Sequence, residues 1–210
     1  MTVKNPTYRK FLDHNELEVL TENDIKTVLD NIHDKEQAQA RAIIITLYYT
    51  GARPNEVLRL KFKDFSTNKG YLDISLKGSK GGLPRTVSLQ LKLEMVKELS
   101  HYVRNGHPEM YAFWKYKGKY KRKREGKHGV KEYTEIADKF RYHFVKWFSV
   151  LYPDSIPPYV LRHSRFTQMM IAGLSAEDVR LWKGSKRMDS VTPYLHFSRA
   201  QARKSGSKVR

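Results

Sequence analysis

Apolar positions along this chain fall into helical and alternating stretches that divide it into elements. Ile25, Val28, Leu29 and Ile32 recur at helical spacing, and Thr21 followed three positions later by Asp24 supplies a capping pair, so a helix is expected to start there. Ala42, Ile43, Ile44, Ile45, Leu47 and Tyr48 form an apolar run in a second helix, 38–49, which reads as buried on most sides and ends at Gly51. Pro54 suits the first turn of a short helix whose Val57, Leu58 and Leu60 face inward, leaving Arg53 at a junction between two helices. Segments 71–77 and 83–89 are rich in β-branched and apolar residues and flank the turn-forming run Gly78-Ser79-Lys80-Gly81-Gly82, the pattern of a hairpin.

Further helices are expected over 91–103 and over 134–151, the latter with Ile136, Phe140, Phe144, Val145, Trp147 and Phe148 as its apolar stripe. Pro157-Pro158 marks a boundary, after which 161–172 reads as helix closed by Gly173, and Ser175 with Asp178 opens a last helix reaching about residue 182. Between the two middle helices the character changes. Residues 115–131 hold nine bases and one acid, Glu125, interleaved with Tyr116, Tyr120 and three glycines, a composition that makes no core and predicts an exposed basic loop. Residues 1–20 lack periodicity and read as a leader or linker remnant, 21–198 as one domain, and 199–210, with five bases and no acid, as a basic tail that orders against a partner. There is no internal repeat.

Charge narrows the function. With 40 Lys and Arg against 22 Asp and Glu, a formal charge of +18, the chain is expected to attract polyanions and release their counterions on binding, which favours double-stranded DNA as partner. A membrane surface is the competing polyanion, but no window approaches 18 uninterrupted apolar residues and no apolar signal core is present, so a cytoplasmic, nucleoid-associated protein is expected. The absence of cysteine excludes disulfides, zinc ribbons and thiol catalysis. The eight histidines show no paired metal spacing, and no metal or cofactor is expected. Many lysines and arginines without cysteine also suit a thermophile.

Candidate chemistry lies in four places. Arg53 sits in Thr50-Gly51-Ala52-Arg53-Pro54-Asn55-Glu56-Val57, and Lys77 follows 24 residues later in Lys77-Gly78-Ser79-Lys80. Arg162 stands in Leu161-Arg162-His163-Ser164, and Tyr194 comes 32 residues after it in Tyr194-Leu195-His196. Arginine forks pair bidentately with phosphate oxygens at any working pH, lysine can donate a proton, and a phenol can attack phosphorus. Together they are suited to breaking a phosphodiester.

In order, spacing and local context these four boxes resemble the catalytic domain of the tyrosine recombinase and phage integrase family, over about residues 20–198. The resemblance implies a mainly α fold with a small antiparallel β-sheet, an α+β class compatible with the helices and hairpin above. It implies site-specific DNA cleavage and rejoining through a 3′-phosphotyrosine link, integrating or excising a mobile element, without metal or ATP, in a homo-tetramer on DNA. Arg53 and Arg162 would clamp the scissile phosphate, Tyr194 would attack it, and Lys77 would protonate the departing 5′-oxygen, with Lys80 in the same turn as its rival. Glu56 matches a family position that props the arginines.

Two positions depart from the family pattern. The second box opens with Tyr159 where histidine is usual, a variant similar to archaeal plasmid-type and virus-type integrases, and its phenol is expected to contact phosphate. Ser185, 23 residues past Arg162, occupies the place of the usual histidine or tryptophan. Lys183 and Lys186 are the neighbours able to substitute, so Glu56, Ser185 and Lys186 are the supporting residues expected beside the catalytic five. Lys80, Arg85, Lys115, Lys117, Lys119, Lys121, Arg122, Lys123 and Arg124 are the expected DNA contacts. His163 and His196 read as packing or capping residues. A type IB topoisomerase and a catalytically silent DNA-binding module are the competing readings.

Overall fold

In the computed structural model the described residues are 19–33, 37–78, 82–116, 120–126, 129–135, 138–153 and 156–195, with the backbone alone described between 120 and 138. The first helix, α1 (Glu22–Asp30), starts where the capping pair predicts: the Thr21 hydroxyl accepts from the Asp24 N–H, and the Asp24 carboxylate accepts from the Thr21 N–H at 2.7 Å. Helix α2 (Gln37–Thr50) is buried on nearly every side from Ala42 to Thr50, as its apolar run requires, and packs against α4 (Glu94–Arg104) and α6 (Tyr159–Ile171). Gly51 ends it with φ +60°, and α3 (Pro54–Val57) begins three residues on.

Three strands form one antiparallel sheet in the order β1 (Phe65–Asn68), β2 (Tyr71–Leu76), β3 (Arg85–Gln90). Leu72, Ile74, Leu76, Val87 and Leu89 alternate toward the core, so β2 and β3 are the expected hairpin. Strand β1 is additional: only Phe65 of its four residues is buried, too short an alternation to stand out in the sequence. Helix α4 starts at Glu94, because Leu91 closes onto the Gly70 carbonyl and Leu93 onto that of Gln90 before the helix begins.

The segment read as a basic loop is instead a second antiparallel pair, β4 (Tyr120–Gly126) and β5 (Gly129–Glu135), running in register from Tyr120↔Glu135 to Gly126↔Gly129. Backbone pairing accepts a strand in which four of seven residues are bases, since it needs no buried face of its own. The next helix, α5 (Asp138–Phe148), consequently starts four residues later than its apolar stripe suggested; Phe140, Phe144, Trp147 and Phe148 are buried, and Ile136 lies outside the described residues.

Helix α6 begins at Tyr159, two residues earlier than expected, and α7 (Ala176–Lys183) is capped by Ser175 and Asp178 as predicted. Two 3₁₀ turns follow, Met188–Ser190 and Thr192–Tyr194. Of the segment read as a leader, residues 1–18 lie outside the described residues, whereas Leu20 is fully buried. Its N–H donates to Ser164 Oγ at 3.0 Å and its carbonyl accepts from Gln168 Nε2 at 2.6 Å, which ties it to α6. The basic tail and His196 also fall outside the described residues. No helix among those described is long and apolar enough to cross a membrane.

Candidate active site

Arg53 caps α3 in an extended conformation, so its side chain leaves the α2–α3 junction rather than following a helix face. Glu56, one turn on, turns back to it: Oε2 accepts from the Arg53 N–H at 3.1 Å and Oε1 from Arg53 Nη1 at 2.9 Å. The same carboxylate, its side chain fully buried, accepts from Arg85 Nη2 at 3.1 Å. A helix-start carboxylate thus links an arginine of its own turn to one on β3, and burial of the charge is offset by two cationic partners.

Arg162 enters from α6 and is 1% exposed. Its Nη1 donates to the Gly51 carbonyl at 2.5 Å and its Nη2 to the Lys183 carbonyl at 3.3 Å, while the guanidinium carbon lies 4.7 Å from the Phe166 ring centre and 5.9 Å from that of Tyr159. Gly51 is required here, because a Cβ on its left-handed backbone would lie 3.0 Å from Phe166. Burial lowers the Arg162 pKa from its ordinary value; Arg53 and Arg85 push the same way, Tyr159 and Glu56 against. Among the described residues, Arg162 Nε and Arg85 Nε and Nη1 are buried without a hydrogen-bond partner. Unpaired buried donors are costly, and three on two neighbouring guanidinium groups suit an anion that brings several acceptor oxygens.

Tyr194 ends the second 3₁₀ turn, its N–H bonded to the Val191 carbonyl at 2.8 Å, and is 1% exposed. Its ring lies 5.8 Å from Phe166 and 5.2 Å from His163, both on α6, and Phe166 thus touches both the phenol ring and the guanidinium of Arg162. Lys183, the last residue of α7, reaches into the same place. It is 7% exposed, donates from Nζ to the Ser190 carbonyl, and stands 5.0 Å from the Tyr194 ring centre and 5.6 Å from that of Phe166. Burial, reinforced by Arg162 and Arg53, pushes its ammonium down to about 7.

The fold therefore brings Arg53, Glu56, Tyr159, Arg162 and Tyr194 to one place, together with Arg85, which the sequence suggested as a DNA contact. Lys77 is exposed and one residue past β2; Leu76 pairs with Arg85, so Lys77 stands at the end of the sheet nearest the arginines. Lys80, Lys117 and Lys119 lie outside the described residues. Lys115 has its Nζ 5.1 Å from the exposed Trp114 ring, and Lys121, Arg122, Lys123 and Arg124 are on β4.

Ser185 and Lys186 are placed differently from Lys183. Ser185 sits in the turn after α7, with its hydroxyl bonded to the backbone of Arg187 and its carbonyl accepting from Arg180, and Lys186 is exposed. Lys183 holds the inward position, and the sequence did carry a signal for it: it lies four residues after Val179, the buried apolar residue of α7.

The sequence pattern of the phage integrase family matches residues 18–201. The chain is 28% identical over 197 residues to tyrosine recombinase XerA of Pyrococcus furiosus, across 93% of this chain and 62% of that protein. It is 22% identical over 198 residues to tyrosine recombinase XerD of Haemophilus influenzae, across 88% and 60%. The chain thus spans less than two thirds of the length of these relatives. Among solved structures its fold resembles the XerA recombinase (TM-score 0.62, 20% identity, 92% of this chain and 65% of that one). It also resembles the XerH recombinase in a post-cleavage complex with a palindromic difH substrate (0.64, 23%, 92% and 54%) and the catalytic domain of bacteriophage HP1 integrase (0.54, 18%, 92% and 96%). With the family's pattern running through every element that builds the site, the chain belongs to the phage integrase family.

Proposed function

We propose that the chain cleaves and rejoins DNA strands at specific sites through a 3′-phosphotyrosine link, as the catalytic part of a recombinase or integrase. The observation that carries this reading is the convergence of Arg53, Arg85 and Arg162, with three buried guanidinium donors lacking partners among the described residues, near a tyrosine that packs on the same Phe166 ring as Arg162. Non-bridging oxygens of a phosphodiester would satisfy those donors, and the preformed charge would oppose the negative charge that builds in the transition state. The Tyr194 oxygen would form a bond to phosphorus as the bond to the 5′-oxygen breaks, and Lys77 at the sheet end would supply the proton that oxygen takes. Tyr159, facing Arg162, would donate a hydrogen bond to the phosphate. Glu56 would hold Arg53 and Arg85 in place. Since Tyr194 is covered, the 3₁₀ turn that carries it would shift to admit the phosphate. The names of the relatives favour recombination over topoisomerase action, and a tetramer on two DNA sites is the expected assembly.

The test uses a nicked suicide duplex bearing the site that the protein selects from a randomised library. A covalent adduct on a denaturing gel is expected for the wild type and none for Tyr194→Phe. Arg53→Ala and Arg162→Ala are expected to slow adduct formation by roughly 10² to 10³ while the mobility shift of uncleaved DNA persists. An adduct that survives Tyr194→Phe would remove the nucleophile from the proposal.

A further inference from the structure

We infer that Lys183 is the proton acceptor for Tyr194, from its burial at the end of α7, its amine beside the nucleophile's ring, and its backbone tie to Arg162. The inference rests on the strand-cleavage reading above and assigns the base that reading lacks. A phenol with an ordinary pKa of ~10 is about one part in a thousand ionised at neutral pH, so attack needs a group that takes its proton. At the position where the family pattern usually has histidine stands Tyr159, which brings no imidazole to the site.

The groups facing Lys183 can be named element by element. From α6 come Arg162, whose Nη2 holds the Lys183 carbonyl, and the Phe166 ring. From the α2–α3 junction comes the charge of Arg53. From the segment after α7 come the Ser190 carbonyl, which accepts from Nζ, and the Tyr194 ring 5.0 Å away. His163 of α6 lies on the same phenol, 5.2 Å between ring centres, with its Nε2 paired to Thr167 Oγ1 at 3.4 Å. Among the described residues no carboxylate pairs with Lys183. Burial first, and then the charges of Arg162 and Arg53, disfavour the ammonium, and its pKa falls to about 7. Arginine at either neighbouring position stays charged and cannot accept a proton. Lys183 is thus a buried lysine held as amine for much of the time at neutral pH, with its flexible stem alongside the nucleophile.

The step balances. Rotation about the outer bonds of the lysine stem brings the amine to the phenol; the O–H bond breaks and an N–H bond forms. The phenolate oxygen bonds to phosphorus, the bond to the 5′-oxygen breaks, and that oxygen is protonated by Lys77. On rejoining, a 5′-hydroxyl gives its proton back to the Lys77 amine as its oxygen bonds to phosphorus, the bond from phosphorus to the tyrosine oxygen breaks, and the Lys183 ammonium returns its proton to that oxygen.

The experiment is single-turnover adduct formation on the same suicide duplex at subsaturating DNA, where the free protein's titration governs the rate, from pH 5.5 to 9.5. The wild-type rate is expected to rise about tenfold per unit below pH 7 and to level above it. Lys183→Met is expected to lose roughly 10² or more at pH 7, to lose the inflection near 7, and to recover as pH approaches the phenol's own range. Lys183→Arg, which keeps the charge but cannot accept a proton, is expected to be as slow. Replacing Tyr194 with 3-fluorotyrosine, a more acidic phenol, is expected to restore part of the Lys183→Met rate, which a merely misfolded variant would not show. His163→Gln is expected to keep the inflection at the same pH whatever its rate. A wild-type rate in Lys183→Arg, an unchanged profile in Lys183→Met, or an inflection that moves with His163 would each overturn the assignment. Absence of any adduct with the wild-type protein would instead count against strand cleavage itself.

Discussion

Glu56 shows how one side chain can hold a charged site together. Its carboxylate is buried between Arg53 and Arg85, which come from the α2–α3 junction and from β3. Removing one partner of a buried ion pair typically costs about 3–5 kcal/mol, because the charge left behind stays buried. Glu56→Ala is therefore expected to lower stability by about 3 kcal/mol or more in urea unfolding and to weaken phosphate binding at the same time. Glu56→Gln, which keeps the shape, should fall between. Lys183 has the opposite signature. Its value is about 7 in the fold against 10.5 for the free side chain. Below pH 7 both folded and unfolded chains carry the proton, and the fold bears the full cost of a buried ammonium. Between 7 and 10.5 only the unfolded chain binds it, so stability rises with pH across that window. Lys183→Met is expected to raise the melting temperature most at pH 6 and progressively less toward pH 10, as read by thermal unfolding at a series of pH values. A residue that destabilises its own fold at neutral pH is what an activity-bearing position looks like.

The elements differ in how much of them the sequence discloses. Helices α1, α2 and α7 are visible because capping pairs and 3.6-residue periodicity are local, and β2 and β3 because alternation and a glycine-rich turn sit side by side. Strand β1 and the β4–β5 pair are not, since their stabilisation lies in partners: β1 buries one residue of four, and β4 reads YKRKREG. Of the site, Arg53, Arg162 and Tyr194 are legible from their boxes. Arg85's place beside Glu56 is not, because it depends on a strand register, and Lys183 is marked only by its spacing from Val179, which the positions of Ser185 and Lys186 outweighed. The register of β4 with β5 adds a consequence for binding. Alternation places Tyr120, Arg122 and Arg124 on one face with Lys131, Tyr133 and Glu135, whereas Lys121, Lys123 and Glu125 share the other with Val130, Glu132 and Thr134. The first face carries three bases and one acid, the second two bases and two acids. A two-stranded ribbon fits a DNA groove by one face. Arg122→Ala with Arg124→Ala is thus expected to reduce the salt slope of DNA binding by about 2, as measured by fluorescence anisotropy, while Lys121→Ala with Lys123→Ala, an equal loss of charge, leaves it nearly unchanged.

For the whole molecule, a formal charge of +18 sets the physics of association. The logarithm of affinity is expected to fall linearly with the logarithm of salt, by about 0.9 per phosphate neutralised, for cognate and unrelated duplexes alike. Tyr194→Phe should show the same slope in a filter-binding titration, because neither side chain adds a cation to the interface; a changed slope would mean that the proposed nucleophile also serves as an anchor. The molecule's parts are not free to respond separately to that attraction. Gly184, left-handed at φ +66°, closes α7 by donating to the end of its own helix, and its carbonyl accepts from the N–H of Leu83 at 2.8 Å. A Cβ there would meet Arg85 Nη1 at 2.7 Å and the Leu83 carbonyl at 2.8 Å, so only glycine lets strand and helix come so close. Lys183 directly precedes that joint, and Lys77 follows Leu76, which pairs with Arg85 two residues past Leu83, so the proposed proton donor and acceptor are linked through one backbone contact. A duplex that displaces the hairpin is therefore expected to displace the proposed proton acceptor with it, which would couple the two proposed proton transfers through that contact.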